Sequence, residues 1–352
     1  MMTNVRSSAV VLLLMAVMPP ARGAARQRPP GAEHEGPAFT FHRILEDIYH
    51  AVGTGSLAVG ANAAVIINES DVLLVDSHVS PAAAAVLLEE LKAITDRPVR
   101  YVVNTHYHFD HAHGNQVYPA NVEVIGHEFT RAMLMSGASV SGRSYQRFLG
   151  SLPRQIEALK AQLDTTMAAD ARAALERRIR IQENYRLATD VIRPTPPTVT
   201  MNQRLTLHRG NREIQLEFFG RGHTGGDVVV YLPAERVLVT GDLLSTGIPY
   251  MGDGYVPDWI ETLERLKPLG FDVVLPGHGP AFRERERIDY LQAYLTDFWT
   301  QVVALRGAGV PAEDAATRID MRAHAAHYPS IRAPGVDADA VAGAYEVLAG
   351  AR

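Results

Sequence analysis

Residues 105–115 read Thr105-His106-Tyr107-His108-Phe109-Asp110-His111-Ala112-His113-Gly114-Asn115, with three histidines and an aspartate inside the six positions from His106 to His111. The run before them, RYVVN (100–104), has the β-branched and aromatic content of a strand, so the motif begins where a strand stops. His106 and His108 are two apart, and in extended backbone such side chains leave the same face. Both imidazoles can then reach one ion at about 2.0–2.1 Å. Asp110 and His111 lie beyond, where the chain must turn, and can face a second ion. A lone histidine is usually packed or solvated; this density is a ligand pattern.

Three further candidates follow strand-like runs downstream. His223 sits in GRGHTGGD (220–227), Asp242 in TGDLL (240–244) and His278 in PGHGP (276–280). Each stands on a glycine-bearing loop, where the backbone can turn sharply and come close to a ligand. Binding groups commonly gather on loops carried by a rigid sheet. The set suits two divalent metal ions. His106, His108 and His223 make a three-histidine site with an open position. Asp110, His111 and His278 serve the second ion, and Asp242 can bridge. Such a pair shares a water and lowers its pKa to about 7, giving a hydroxide that attacks a carbonyl. Asp110 would orient this nucleophile. Zinc is the expected metal, and nitrogen and oxygen donors also admit iron or manganese. Tyr250, in the loop 245–255, is a candidate donor to an oxyanion. That loop holds no lysine, so it offers no cationic anchor of that kind for a substrate carboxylate.

Composition narrows the partners. The chain has 352 residues, 47% hydrophobic, and a net charge of −5 without a long basic run, which disfavours nucleic acid and points to a small-molecule substrate. With no cysteine, thiolate ligands, disulfides and cysteine nucleophiles are excluded. Arg6, the apolar run 9–17 and the small residues Ala21 and Gly23 predict a cleaved signal peptide over 1–23 and a secreted or periplasmic protein. That run is too short for a stable membrane anchor. Residues 24–37, rich in Arg, Pro and Gly, are expected to be a flexible leader.

Strands are predicted over 39–44, 48–52, 63–68, 72–76, 100–104, 122–125, 204–207, 213–219, 228–232, 237–240 and 272–275. Pro81 opens a helix to about Ile94 with Ser80 as its N-cap. Helices follow from Glu128 and over 257–266, 284–306 and 337–348. Between 141 and about 190 two helices interrupt the main domain (38–305), with Ile156, Leu159, Leu163 and Met167 at helical spacing. That stripe reads as packing against the domain, with a lid or a dimer contact as the sharper alternative. Residues 306–352 form a C-terminal helical tail. The order of strands, helix, strands and helix occurs twice, as in two β-layers with helices outside.

THYHFDH followed by GHTGGD, TGD and PGHG in that order resembles the metallo-β-lactamase superfamily. The resemblance covers about residues 39–282 and implies an α/β (α+β) αββα sandwich with the metal pair at one edge. Asp242 stands where the cysteine-containing β-lactamases carry a cysteine, and in this it is similar to glyoxalase II and the quinoprotein-relay group. The implied activity is hydrolysis of a small lactam, lactone, ester or thioester, β-lactams included. Two other classes stand beside it: an iron-dependent oxidoreductase resembling persulfide dioxygenases, and a non-catalytic periplasmic protein that binds a metal or cofactor. Asp76 resembles the family's structural aspartate, expected to orient the ligand loops, with His78 beside it or merely exposed. His113 reads as a tolerated loop substitution and Asn115 as a turn or cap residue. His42, His50, His127 and His208 read as ordinary core or surface histidines. His324 and His327 could at most edge the pocket.

Overall fold

The computed structural model describes residues 28–351; the expected signal peptide (1–23) lies outside the described residues. Two sheets carry the chain. The first runs in order β1 (Phe39–Leu45), β2 (Ile48–Gly53), β3 (Ala63–Ile67), β4 (Val72–Val75), β5 (Val99–Val103), β6 (Glu123–His127) and β7 (Val199–Met201). It is antiparallel as far as β4 and parallel from β4 to β7. The second comprises β8 (Arg204–Arg209), β9 (Arg212–Glu217), β10 (Val229–Leu232), β11 (Val237–Gly241) and β12 (Val273–Pro276), with β11 and β12 parallel.

Side-chain alternation assembles the layers. On β3 and β4, Ala64, Ile66, Leu73 and Val75 point between the sheets, where they meet Ile214, Leu216, Val230 and Leu275 of the second sheet. Their neighbours Val65, Ile67, Val72 and Leu74 point outward, onto α1 (Pro81–Glu90). Strands buried on both faces read as continuous apolar runs, as these do. Outside the first sheet also lie α2 (Phe109–Ala112), α3 (Glu128–Met135), α4 (Ala138–Ser141), α5 (Arg143–Thr165) and α6 (Ala169–Thr189). Outside the second lie α7 (Val256–Leu266), α8 (Arg287–Gly307), α9 (Ala312–Arg318) and α10 (Ala338–Leu348), packed around Trp259, Phe271 and Phe298. The result is the αββα sandwich. Among the described residues no helix is long and apolar enough to cross a membrane.

Ser80 caps α1 as expected, its Oγ accepting from Ala83 N. Other expectations need correction. The described part of the leader packs against the domain: Ala32 is buried, Asn184 of α6 donates to Glu33 O, and Arg180 of α6 pairs with Glu35. Residues after 306 are no tail, since Ala315, Ala316, Val341 and Ala344 are buried beside α8. Met167 does not continue the α5 stripe; the helix ends at Thr165 and Met167 is 91% exposed in the turn. The buried α5 positions are Tyr145, Leu152, Ile156 and Leu159. Strand β7 was missed because its three residues follow a proline-rich stretch and gain a strand's register only from pairing with β6.

Candidate metal centre

The seven candidate ligands stand on loops at one edge of the sandwich. His106 and His108 leave β5, His223 lies on the loop between β9 and β10, and Asp242 and His278 follow β11 and β12. Asp110 and His111 lie in α2, the turn the sequence required. Gly241 adopts φ +52°, and a Cβ there would stand 2.5 Å from Thr105 Oγ1, so this position favours glycine on both counts.

Three overlapping groups of these side chains could hold a metal ion, with ligand atoms in each within 4.8 Å of one another: His106, His108 and His223; His106, His111 and Asp242; Asp110, His111 and His278. His108 Nδ1 lies 3.0 Å from His223 Nε2. His278 Nε2 lies 3.1 Å from Asp110 Oδ2 and 3.3 Å from Asp242 Oδ2. Asp242 also reaches the other end, with Oδ2 3.6 Å from His223 Nε2 and Oδ1 3.4 Å from His111 Nε2. It therefore stands between the two outer groups.

The protein itself leaves inward atoms of this cluster unpaired. His106 Nε2, His111 Nε2 and Asp242 Oδ1 are buried without a hydrogen-bond partner. A buried polar atom without a partner costs about 1–3 kcal/mol. Three such atoms converging at one point fit cations held by nitrogen and oxygen. Several outward atoms, by contrast, are engaged, while His223 Nδ1 is buried without a partner. His111 Nδ1–H donates to Asp76 Oδ2 at 2.8 Å. Thr105 Oγ1 donates to Asp76 and lies 3.0 Å from His106 Nδ1, so it can accept from that ring. His108 Nε2–H donates to Asp253 Oδ2 at 3.1 Å. One buried carboxylate, Asp76, thus orients two rings, and it does so from a left-handed backbone position, φ +68°.

The electrostatics differ between the ends. Burial pushes His106 well below the usual histidine range and His223 down to about 3, and neighbouring imidazoles add to it, so both stay neutral and able to donate a lone pair. Burial opposes charge on His111 too, but Asp242, Asp110 and Asp76 hold it well above its ordinary value. Asp242 raises His278 to about 10. Burial alone would raise Asp110 and Asp242; the charge of His111 and His278 more than offsets it and leaves both carboxyls below the usual range.

With this geometry in hand, comparison with known proteins is decisive for the family. A model of the metallo-beta-lactamase superfamily matches residues 57–278, well over half of the chain. The chain belongs to the metallo-beta-lactamase superfamily. It is similar to a type 2 metallo-beta-lactamase of Elizabethkingia meningoseptica, 31% identical over 85 residues, 22% of this chain and 34% of that protein. It is also similar to a linear primary-alkylsulfatase of Pseudomonas sp. (strain ATCC 19151), 22% identical over 273 residues, 73% of this chain and 49% of that protein. The chain therefore spans about a third of the one relative and about half of the other. A solved metallo-beta-lactamase from Pontibacter korlensis shares the fold, at TM-score 0.52 and 19% identity, over 73% of this chain and 99% of that one. Members of this superfamily are hydrolytic metalloenzymes as a rule, and this chain is hydrolase-like in its ligand cluster.

Several residues behave differently from the sequence expectation. Asn115 opens the turn 115–117 but caps nothing with its side chain, which is buried, exchanges hydrogen bonds with Asn104 and donates to Thr195 O at 2.8 Å. His113 is buried against Tyr145 and within 3.2 Å of Ser139 Oγ. His78 is buried beside Phe39. His50 lies in the core and donates through Nε2 to Pro276 O, two residues before His278. Asn62 Nδ2 holds the same loop through Pro276 O and Gly279 O. His324 pairs with Asp297 and His327 stacks on Tyr290, and neither lines the cavity. Tyr250 does line it, with its ring 5.9 Å from His108 and its hydroxyl unpartnered. Burial pushes that hydroxyl's pKa upward, so it remains a proton donor. Asp253 and Asn62 escaped the sequence reading. The only signal for Asp253 was its place in the loop after Asp242.

Proposed function

We propose that this chain is a dinuclear metal-dependent hydrolase, most simply with zinc, that cleaves a lactam, lactone, ester or thioester bond in a small molecule. The observation that carries the reading is the convergence of His106 Nε2, His111 Nε2 and Asp242 Oδ1, buried and without a hydrogen-bond partner, beside a cavity lined by His108, Asp110, Asp242 and His278. His106, His108 and His223 would hold one ion, Asp110, His111 and His278 the other, and Asp242 would lie between them. When bound, two such ions acidify a water and polarise the bond under attack.

The chain's own groups do the rest. Asp76 and Thr105 fix the rings of His111 and His106 so that each Nε2 faces inward, and Asp253 holds His108 by Nε2 so that its Nδ1 faces inward. Asp110, whose carboxylate lines the cavity, would orient the attacking water and take its proton. Tyr250 would donate its free hydroxyl to the oxygen that gains negative charge. A sulfate ester is the second substrate class, because the alkylsulfatase alignment extends over 73% of this chain where the β-lactamase alignment covers 22%. Export to the periplasm or beyond remains part of the proposal, on the strength of residues 9–23 alone.

The test is turnover by the zinc-loaded protein of a chromogenic cephalosporin, a lactone, a nitrophenyl ester and a nitrophenyl sulfate, with and without a chelator. Turnover lost on chelation and restored by zinc supports the reading. No turnover of any of them by protein holding two metal equivalents would overturn it.

A further inference from the structure

The cavity above the ligand cluster has a volume of about 540 Å³, and one helix of the insertion supplies a wall of it. Ser144, Arg147, Phe148 and Ser151 of α5 all line it. Their spacing of i, i+3, i+4 and i+7 is a single helical stripe. Phe148 stacks on Phe109 of α2, ring centroids 5.5 Å apart at 24°. Phe109 is backed by Tyr145 at 5.1 Å and Phe148 by Tyr185 at 5.5 Å, both buried. This wall is rigid before any ligand arrives, which lowers the entropic cost of binding against it. Ile248 and Pro249 add apolar surface from the loop after Asp242.

Charge is what the cavity lacks away from the cluster. Arg147 is the one lysine or arginine among its lining residues. Its NH1 and NH2 each lie 2.9 Å from a carboxylate oxygen of Asp337, and NH1 also lies 2.9 Å from Asp339 Oδ2. Arg147 and its neighbour Arg143 face three carboxylates, Asp337, Asp339 and Glu346, so the rim presents no surplus positive charge. A substrate carboxylate placed there would meet Asp337 and Asp339 instead of a free cation.

Resting on the hydrolase reading above, we infer that the substrate is an apolar-bodied alkyl or aryl compound with one polar group. The Phe109–Phe148 stack takes the body, and the polar group is the bond presented to the ligand cluster. Phe148 is then a specificity-determining residue. A compound with a second, anionic group remote from the reacting bond, as in β-lactam antibiotics, is disfavoured.

Two series test this. On zinc-loaded protein, kcat/KM for nitrophenyl esters should rise roughly three- to fourfold per methylene as the acyl chain grows from two to eight carbons. An ester of equal length ending in a carboxylate should fall behind by about tenfold or more. Independently of turnover, N-alkylacetamides from ethyl to octyl should bind with the same chain-length dependence by calorimetry. Phe148→Ala should flatten both slopes, and Phe148→Leu should restore most of them. If no ester is turned over but amide binding keeps its slope and loses it in Phe148→Ala, the substrate class stands and the acyl-hydrolase reading falls. Binding that ignores chain length, or that favours the carboxylate-ended compound, overturns the inference whatever the turnover.

Discussion

His108 is held from both sides: its Nε2–H donates to Asp253 Oδ2 at 3.1 Å, while its Nδ1 lies 3.0 Å from His223 Nε2. The carboxylate fixes the ring's tautomer and its angle together, so the lone pair of Nδ1 points inward. His111 is treated the same way through opposite atoms, Nδ1 to Asp76 and Nε2 inward.

Asp253→Ala should therefore weaken the ion held by His106, His108 and His223 by about 10- to 100-fold. Titration against a chromophoric chelator measures it. Wild-type affinity in this variant would reduce Asp253 to a loop residue.

Asp110→Ala removes a ligand atom from one group and leaves His106, His108 and His223 untouched. The variant should bind close to one equivalent of zinc in place of two and lose turnover. Metal analysis after gel filtration gives the count. Two tightly held equivalents with near-wild-type rates would contradict the dinuclear scheme.

Gly277 has no room for a side chain. A Cβ there would stand 2.4 Å from Asp242 Oδ1 and 2.7 Å from His111 Cε1. Gly277→Ala should keep the circular dichroism of the parent but lose most of its bound metal, because Asp242 and His111 must move. Full metal occupancy would show that the loop yields without disturbing either residue.

His50 supplies a pH dependence. Burial lowers its pKa to about 4, against an ordinary value of 6.5. Between these values the unfolded chain binds the extra proton and the folded chain does not, so stability falls as pH drops from 6.5 to 4. The loss is on the order of 3 kcal/mol over that window. Urea unfolding of metal-free protein at pH 7 and pH 4.5 should show it, with a smaller difference in His50→Gln. An equal difference in both proteins would mean that other groups carry the acid sensitivity.

The seven candidate ligands were legible because each follows a strand-like run and sits in a turn motif that local sequence can specify. Continuous apolar runs on β3, β4 and β10 made the strands legible for a similar reason. What could not be read depends on contacts between distant segments. Asp253 reaches His108 across 145 positions, and His50 reaches Pro276 across 226. Neither spacing leaves a local pattern. The stripe of Ser144, Arg147, Phe148 and Ser151 was hidden because an arginine and two serines beside one phenylalanine resemble an exposed helix face. Its meaning appears only once α2 and the loop after Asp242 stand opposite. Asn115 does open a turn, as its sequence suggests, but its side-chain partners, Asn104 and Thr195, come from other parts of the chain and leave no local pattern.

Helix α5 joins two jobs within its first four turns. Leu152 and Ile156 hold the outer layer of the first sheet, while Phe148, one turn before Leu152, faces the cavity. Stability and ligand preference are thus written in the same short stretch of chain and cannot drift apart freely. A lineage that re-shapes this cavity through α5 must re-fit its scaffold at the same time, so new substrates are reached more readily through the loop after Asp242, whose Ile248 is only half-buried.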